Sequence, residues 1–186
     1  MKTLQTIQKT FNVFRVIVKV AFILCIIGAA VFAVGALCAL TQHFGGTVFS
    51  LLGEPLKLFD ENADLLQKYT ELLSAAITLT ADAILLGFTH GYLKAESSDG
   101  TPFTESGAEK LKKLGIRFIY IPITAIVVSQ AIAILQGVKN IGVTDNLWSI
   151  ITGIVLIIVS IIFRYGSELE KRDNVDKPNE KSEIRF

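Results

Sequence analysis

Apolar positions in this chain gather into four long blocks instead of recurring with the period of a strand or a surface helix. They cover residues 20–40, 72–93, 118–136 and 147–163. Each is close to the roughly 20 residues that cross a bilayer core as an α-helix. Backbone amides in lipid must bond within their own segment, so runs of this length predict helices. The expected fold is all-α: a polytopic membrane protein, a four-transmembrane-helix bundle with an outer amphipathic helix and cytoplasmic helical extensions. One domain should span residues 1–176, with membrane spans at about 18–40, 72–93, 116–136 and 147–165. Residues 177–186, which hold Pro178 amid charged and polar neighbours, have almost nothing apolar to bury and are expected to form a disordered cytoplasmic tail.

Composition agrees: 51% of the 186 residues are hydrophobic and the mean hydropathy is +0.53. The net charge of +1 says little, whereas its distribution says much. Of the 18 lysines and arginines, only Lys57, Lys68 and Lys139 lie in the loops after the first and third blocks. All the others precede the first block, separate the second from the third, or follow the fourth. By the positive-inside rule both termini are expected in the cytoplasm, and an even number of spans follows. A multi-pass protein of the bacterial cytoplasmic (inner or plasma) membrane is the expected localisation. The first block follows basic residues as a secretory signal does, but its length exceeds the 7–15 residues of a signal core, so an uncleaved anchor is expected.

Small residues mark helix contacts. Ala29 and Ala33, then Gly35 and Ala39, give the first span small-xxx-small spacing, so another helix should lie on that face. The fourth span is bulky and branched, suited to lipid, with Trp148 and Tyr165 placed to anchor its two ends at the headgroups. Cys25 and Cys38 sit in one helix, too far apart to bridge, and read as packing residues. In the first outer loop, Leu56, Phe59, Ala63, Leu66 and Leu73 recur at helical spacing after Glu54-Pro55, which predicts the outer amphipathic helix. Asp60, Glu61 and Asp64 there lack the ordered ligand spacing of a calcium loop.

Asp82 is the one carboxylate in the middle of a span. At that depth a charge costs several kcal/mol unless neutralised or paired, so it should face the bundle interior. Glu71, Thr78, Asp82 and Thr89 fall within about 40° of one line at 100° per residue, a polar stripe. Thr124, Ser129 and Gln130 of the antiparallel third span should pass at comparable depth. Asp82, Thr78, Thr124 and Gln130 are therefore the candidate intramembrane site: a proton or ion relay, or a hydrogen-bonded register pin. Arg117 is expected to snorkel toward the boundary.

Catalytic signatures are missing: there is no phosphate-cradling glycine loop, zinc-binding His-Glu-x-x-His, Cys-x-x-Cys pair or Gly-x-Ser-x-Gly elbow. No enzyme activity, cofactor or metal is expected. On the cytoplasmic side, Asp99-Gly100-Thr101-Pro102 reads as a turn. Thr104, or Ser106 with Glu109 three residues on, can then cap a helix running into the third span. Its lysines are expected to meet anionic headgroups, and direct nucleic-acid binding is not expected.

Two stretches, residues 101–115 (Thr-Pro-Phe-Thr-Glu-Ser-Gly-Ala-Glu-Lys-Leu-Lys-Lys-Leu-Gly) and 162–175 (Ile-Phe-Arg-Tyr-Gly-Ser-Glu-Leu-Glu-Lys-Arg-Asp-Asn-Val), resemble the YoaS-like bacterial integral membrane family, a domain of unknown function. The chain departs from that family's Gln-Glu-rich ending at Glu170, Lys171 and Arg172, and has Asn174 where the family has Thr. The resemblance implies four spans, no assigned catalytic residues and, as partner, a small Cro-like helix-turn-helix regulator. Partners expected are the lipid bilayer and such a soluble regulator, with a second copy of the chain also admissible. The candidate docking surface is Phe103, Lys110, Leu111, Lys113, Gly166, Glu168, Leu169 and Asp173. Acidic residues of the fourth helix should there face Lys110, Lys112 and Lys113, with Leu169 against Leu111 or Phe103. The function expected first is a regulatory or interaction protein whose cytoplasmic face docks a soluble partner. The alternative is a small transporter, channel or immunity-type protein using a polar path around Asp82.

Overall fold

The structure is a computed structural model that describes residues 2–44, 50–51, 54–55, 64–99, 104–138 and 147–176. Four helices carry the fold: α1 (Lys2–His43), α2 (Leu65–Asp99), α3 (Glu105–Leu135) and α4 (Leu147–Asp176). All four are long and apolar enough to cross a membrane. Between α1 and α2, β1 (Ser50–Leu51) and β2 (Glu54–Pro55) pair antiparallel, Ser50 with Pro55 and Leu51 with Glu54.

Local chemistry sets the helix ends. The Asp64 carboxylate accepts from the Gln67 amide (3.1 Å), an N-cap that starts α2 at Leu65. Of the outer helix expected to follow Pro55, Leu66 and Leu73 belong to α2. Leu56, Phe59 and Ala63 lie outside the described residues, as do 177–186. Of the two caps open for α3, Thr104 is used: its backbone is extended and its hydroxyl accepts from the Gly107 amide at 2.9 Å. At the far end Gly137 adopts φ 69°, and the Val138 and Gly137 amides donate back to Ala133 (3.0 Å) and Ile134 (3.1 Å). This Schellman closure needs a residue tolerant of the left-handed region. α3 runs unbroken through Pro122, whose ring is fully buried.

Among the described residues each helix packs only on its neighbour in sequence: α1 on α2, α2 on α3 and α3 on α4. The bundle is therefore open, and its two outer seams differ. Along α1 and α2, Gly28 receives Leu79, Gly35 receives Leu72 and Gly87 receives Phe22, so side chains fill the places that a Cβ would take. Ala36, Cys38 and Ala39 are buried, which matches the expected small-residue face; Ala33 stays exposed. Along α3 and α4 the backbones themselves meet. A Cβ on Gly115 would stand 2.9 Å from the Gly153 carbonyl and 2.8 Å from Ile157 Cγ1, and one on Gly153 would stand 2.8 Å from the Gly115 carbonyl.

That crossing fixes an offset. With Gly115 beside Ile157 and Gly153 beside Ile119, a rise of 1.5 Å per residue sets Leu147 level with about residue 125 of α3. Thr70 near the start of α2, by contrast, bonds to Gln136 at the end of α3. The apolar run of α4 therefore sits about 15 Å nearer its C-terminal end than the apolar run of α3 does. Ile134 and Leu135 of α3 are left widely exposed. Trp148 stands level with the middle of the α3 run, so it does not share the headgroup level of the α3 C-terminus as the sequence suggests.

Candidate functional site

The polar stripe of α2 exists, but not as the centre of a bundle. Glu71 is held by Lys68 (3.0 Å) and Gln67 (3.0 Å) on its own helix, and the Thr89 hydroxyl donates to the Leu85 carbonyl at 2.8 Å. Asp82 is half-buried beside the α1–α2 seam, across from Cys25 of α1. Among the described residues it has no hydrogen-bond or ion-pair partner.

The third-span groups expected to meet it do not. A cavity of about 660 Å³ lies between α1, α2 and α3, and on α2 it is lined by Ala76, Ile77, Thr80, Ala81 and Ile84. At 100° per residue Asp82 lies about 160° around the helix from Thr80 and from Ile84. Thr124 lines that cavity from α3 and donates to the Tyr120 carbonyl at 2.8 Å. Asp82 and Thr78 thus lie on one face of the layer and Thr124 on the other. Gln130 makes no bond to Asp82, and the buried Ser129 hydroxyl has no partner among the described residues. A continuous polar path through Asp82, Thr78, Thr124 and Gln130 is not formed. The reason is that α2 lies between α1 and α3 in one layer, so only one of its faces can meet α3.

The other candidate surface is where α2 gives way to α3 and α4 ends, here called the basic end. Glu96, 4% exposed, seats its carboxylate against the first turn of α3; a Cβ on Gly107 would meet both carboxylate oxygens at 3.0 and 3.1 Å. A carboxylate is favourable at a helix N-terminus, where the amide dipoles present partial positive charge. α4 continues as a helix well past its apolar run, as expected, and reaches the start of α3 through Lys171 and Glu105 at 2.5 Å.

The polarity of that contact reverses the expected one: the cation is on α4 and the acid on α3. Glu168 pairs with Arg164 on its own helix (3.4 Å) and Lys113 with Glu109 on its own (2.8 Å). At i,i+4 each partner lies one helical turn away, nearer than any group across the seam. Leu111 is 4% exposed, sealed inside and absent from the surface, while Leu169 is 48% exposed. Gly166 is half-buried, Lys110 is half-buried and Lys113 is exposed. Phe103 and the side chain of Asp173 lie outside the described residues. Arg117, expected to snorkel, instead stacks its guanidinium on the Phe88 ring of α2, 3.8 Å from the centroid.

Four residues that organise both regions were passed over in the sequence: Glu96, Gly107, Gly115 and Gly153. Gly115 and Gly153 sit within or beside apolar runs, where a glycine signals close backbone approach. Glu96 follows a lysine and an alanine at the end of a span and reads as ordinary boundary polarity. Among the described residues no group of three or more metal-ligating side chains gathers. The chain matches no family model, and comparison with curated proteins and with solved structures finds no match.

Proposed function

We propose that this chain is a non-enzymatic regulatory or interaction protein of the bacterial cytoplasmic membrane, with both termini in the cytoplasm and its basic end as the docking face. The charge distribution supports the orientation, since lysines and arginines concentrate at that end. The observation that carries the function is the platform formed by α3 and α4. They run past their apolar runs together, are tied by Lys171 and Glu105, and leave Tyr165 (63%) and Leu169 (48%) exposed at the same end. Apolar side chains held there on a rigid helix form the kind of patch that a partner covers. The resemblance of these same two stretches to the YoaS-like family supports a small helix-turn-helix regulator as that partner. The transporter reading is weaker, because Asp82 and Thr124 lie on opposite faces of the helix layer.

The test is purification of the chain from its own membrane in mild detergent, with mass spectrometry of stoichiometric soluble partners. Paired Tyr165→Glu and Leu169→Glu substitutions should remove the partner, and Asp82→Asn should leave it bound. If proteoliposomes show a flux that Asp82→Asn abolishes, and the partner is indifferent to the α4 substitutions, the transporter reading replaces this one.

A further inference from the structure

A second cavity, of about 300 Å³, lies at the basic end between α2 and α3, lined by Gly87, Phe88, Gly91, Tyr92, Ala95, Lys110, Lys113, Leu114 and Arg117. Its three cations stand at i, i+3 and i+7 on one face of α3, so they converge on one space. Lys113 is shared with Glu109 and Lys110 is also engaged within the structure, whereas Arg117, stacked on the Phe88 ring, pairs with no carboxylate among the described residues. A Cβ on Gly91 would meet nothing within 4 Å, so the floor of the cavity is open.

One helical turn farther on, along both walls, the apolar cavity begins: Gly87 and Phe88 give way to Ile84 and Ala81, and Arg117 to Tyr120, Ile121 and Thr124. The hydroxyls of Thr80 and Thr124 are turned back to carbonyls of their own helices (2.7 and 2.8 Å), so the walls present hydrocarbon. The two cavities follow one another along α2 and α3 with the Arg117–Phe88 stack at their junction, and from Arg117 to Val128 they extend over eleven residues of α3, about 16 Å. That is the depth of one leaflet of a hydrocarbon core, about 15 Å.

We propose that this pair of cavities is a binding site for one anionic phospholipid, its headgroup phosphate among Lys110, Lys113 and Arg117 and an acyl chain in the apolar cavity between α1, α2 and α3. A soluble anion would use only the basic part, and a neutral lipid only the apolar part. An amphiphile with a negative head uses both, in the order in which the helices present them. Basic pockets between membrane helices at the cytoplasmic side take such headgroups.

The full chain, purified in mild detergent and stripped of lipid, is offered phosphatidylglycerol and phosphatidylcholine of identical acyl chains in equal amounts, and retained lipid is read by native mass spectrometry. The wild type should retain the anionic lipid over the neutral one about tenfold or more, since each cation near the surface contributes roughly a fivefold preference. Arg117→Gln should cut retention of phosphatidylglycerol about fivefold and leave phosphatidylcholine unchanged. Gly91→Leu puts a side chain into the head cavity from a position where a Cβ meets nothing within 4 Å, and should abolish the preference in a chain that still elutes as the wild type does. Equal retention of the two lipids by the wild type overturns the proposal, as does indifference to Gly91→Leu. Displacement of phosphatidylglycerol by inorganic phosphate at comparable concentration overturns it in favour of a simple anion site.

Discussion

The two outer seams of this bundle solve the same problem by opposite means. Between α1 and α2 the glycines are sockets for leucine and phenylalanine side chains, and the helices stay apart by the width of those side chains. Between α3 and α4 the glycines face each other, and carbonyl oxygen meets α-carbon. A socket forgives, because the far end of a leucine can rotate. A backbone crossing does not, because nothing on either side can move without moving a helix. Glycine, placed as a socket or face to face, thus gives one seam that tolerates change and one that pins the offset of α4.

The sharpest way to break the contrast is Gly115→Leu. Overpacking against the Gly153 carbonyl should cost about 3 kcal/mol, read as a lowered midpoint of unfolding in detergent. Cysteine pairs placed on α3 and α4 should lose their cross-linking. Retention of both would mean that the crossing is not what holds α4.

Asp82 tests the first seam from its side. Because its carboxylate loses no partner when removed, Asp82→Leu should stabilise the chain by about 2 kcal/mol, measured in the same unfolding assay. A loss of stability would show that Asp82 has an attachment in the membrane after all. Between the two halves, Glu96→Gln should cost about 1 kcal/mol by weakening the favourable charge at the start of α3. Glu96→Lys should cost clearly more than that. The smallest effect belongs to Gly28→Ala. The Leu79 methyl group, 3.0 Å away, can shift, and the gain in helix propensity of about 1 kcal/mol offsets the crowding. A near-zero change there beside a large one at Gly115 would confirm that the seams differ in kind.

Four helices long and apolar enough to cross a membrane were legible because burial in lipid demands unbroken apolar runs. Thr104 as one of two possible caps was legible for a similar reason: a cap rests on local chemistry within a few residues. What the sequence could not convey was which faces meet. The wheel of α2 placed Asp82, Thr78 and Glu71 correctly on one line, but only the layered order of the helices decides that this line points away from Thr124. Likewise the charges of Glu168 and Lys113 were read as available across the seam, while each is already paired one turn away. The offset of α4 has no trace in its composition, since it depends on two glycines in different helices coinciding.

The sequential order of contacts bears on how the chain is made. Among the described residues every helix pair that meets is joined by a single connection, so no contact between them waits for a segment synthesised much later. Loop closure is cheap for such neighbours, and low contact order goes with fast assembly. α1 and α2 can therefore close as one hairpin while α3 and α4 are still on the ribosome, and the second hairpin can dock on α2 when it arrives. The molecule is built to mature in the order in which it is translated.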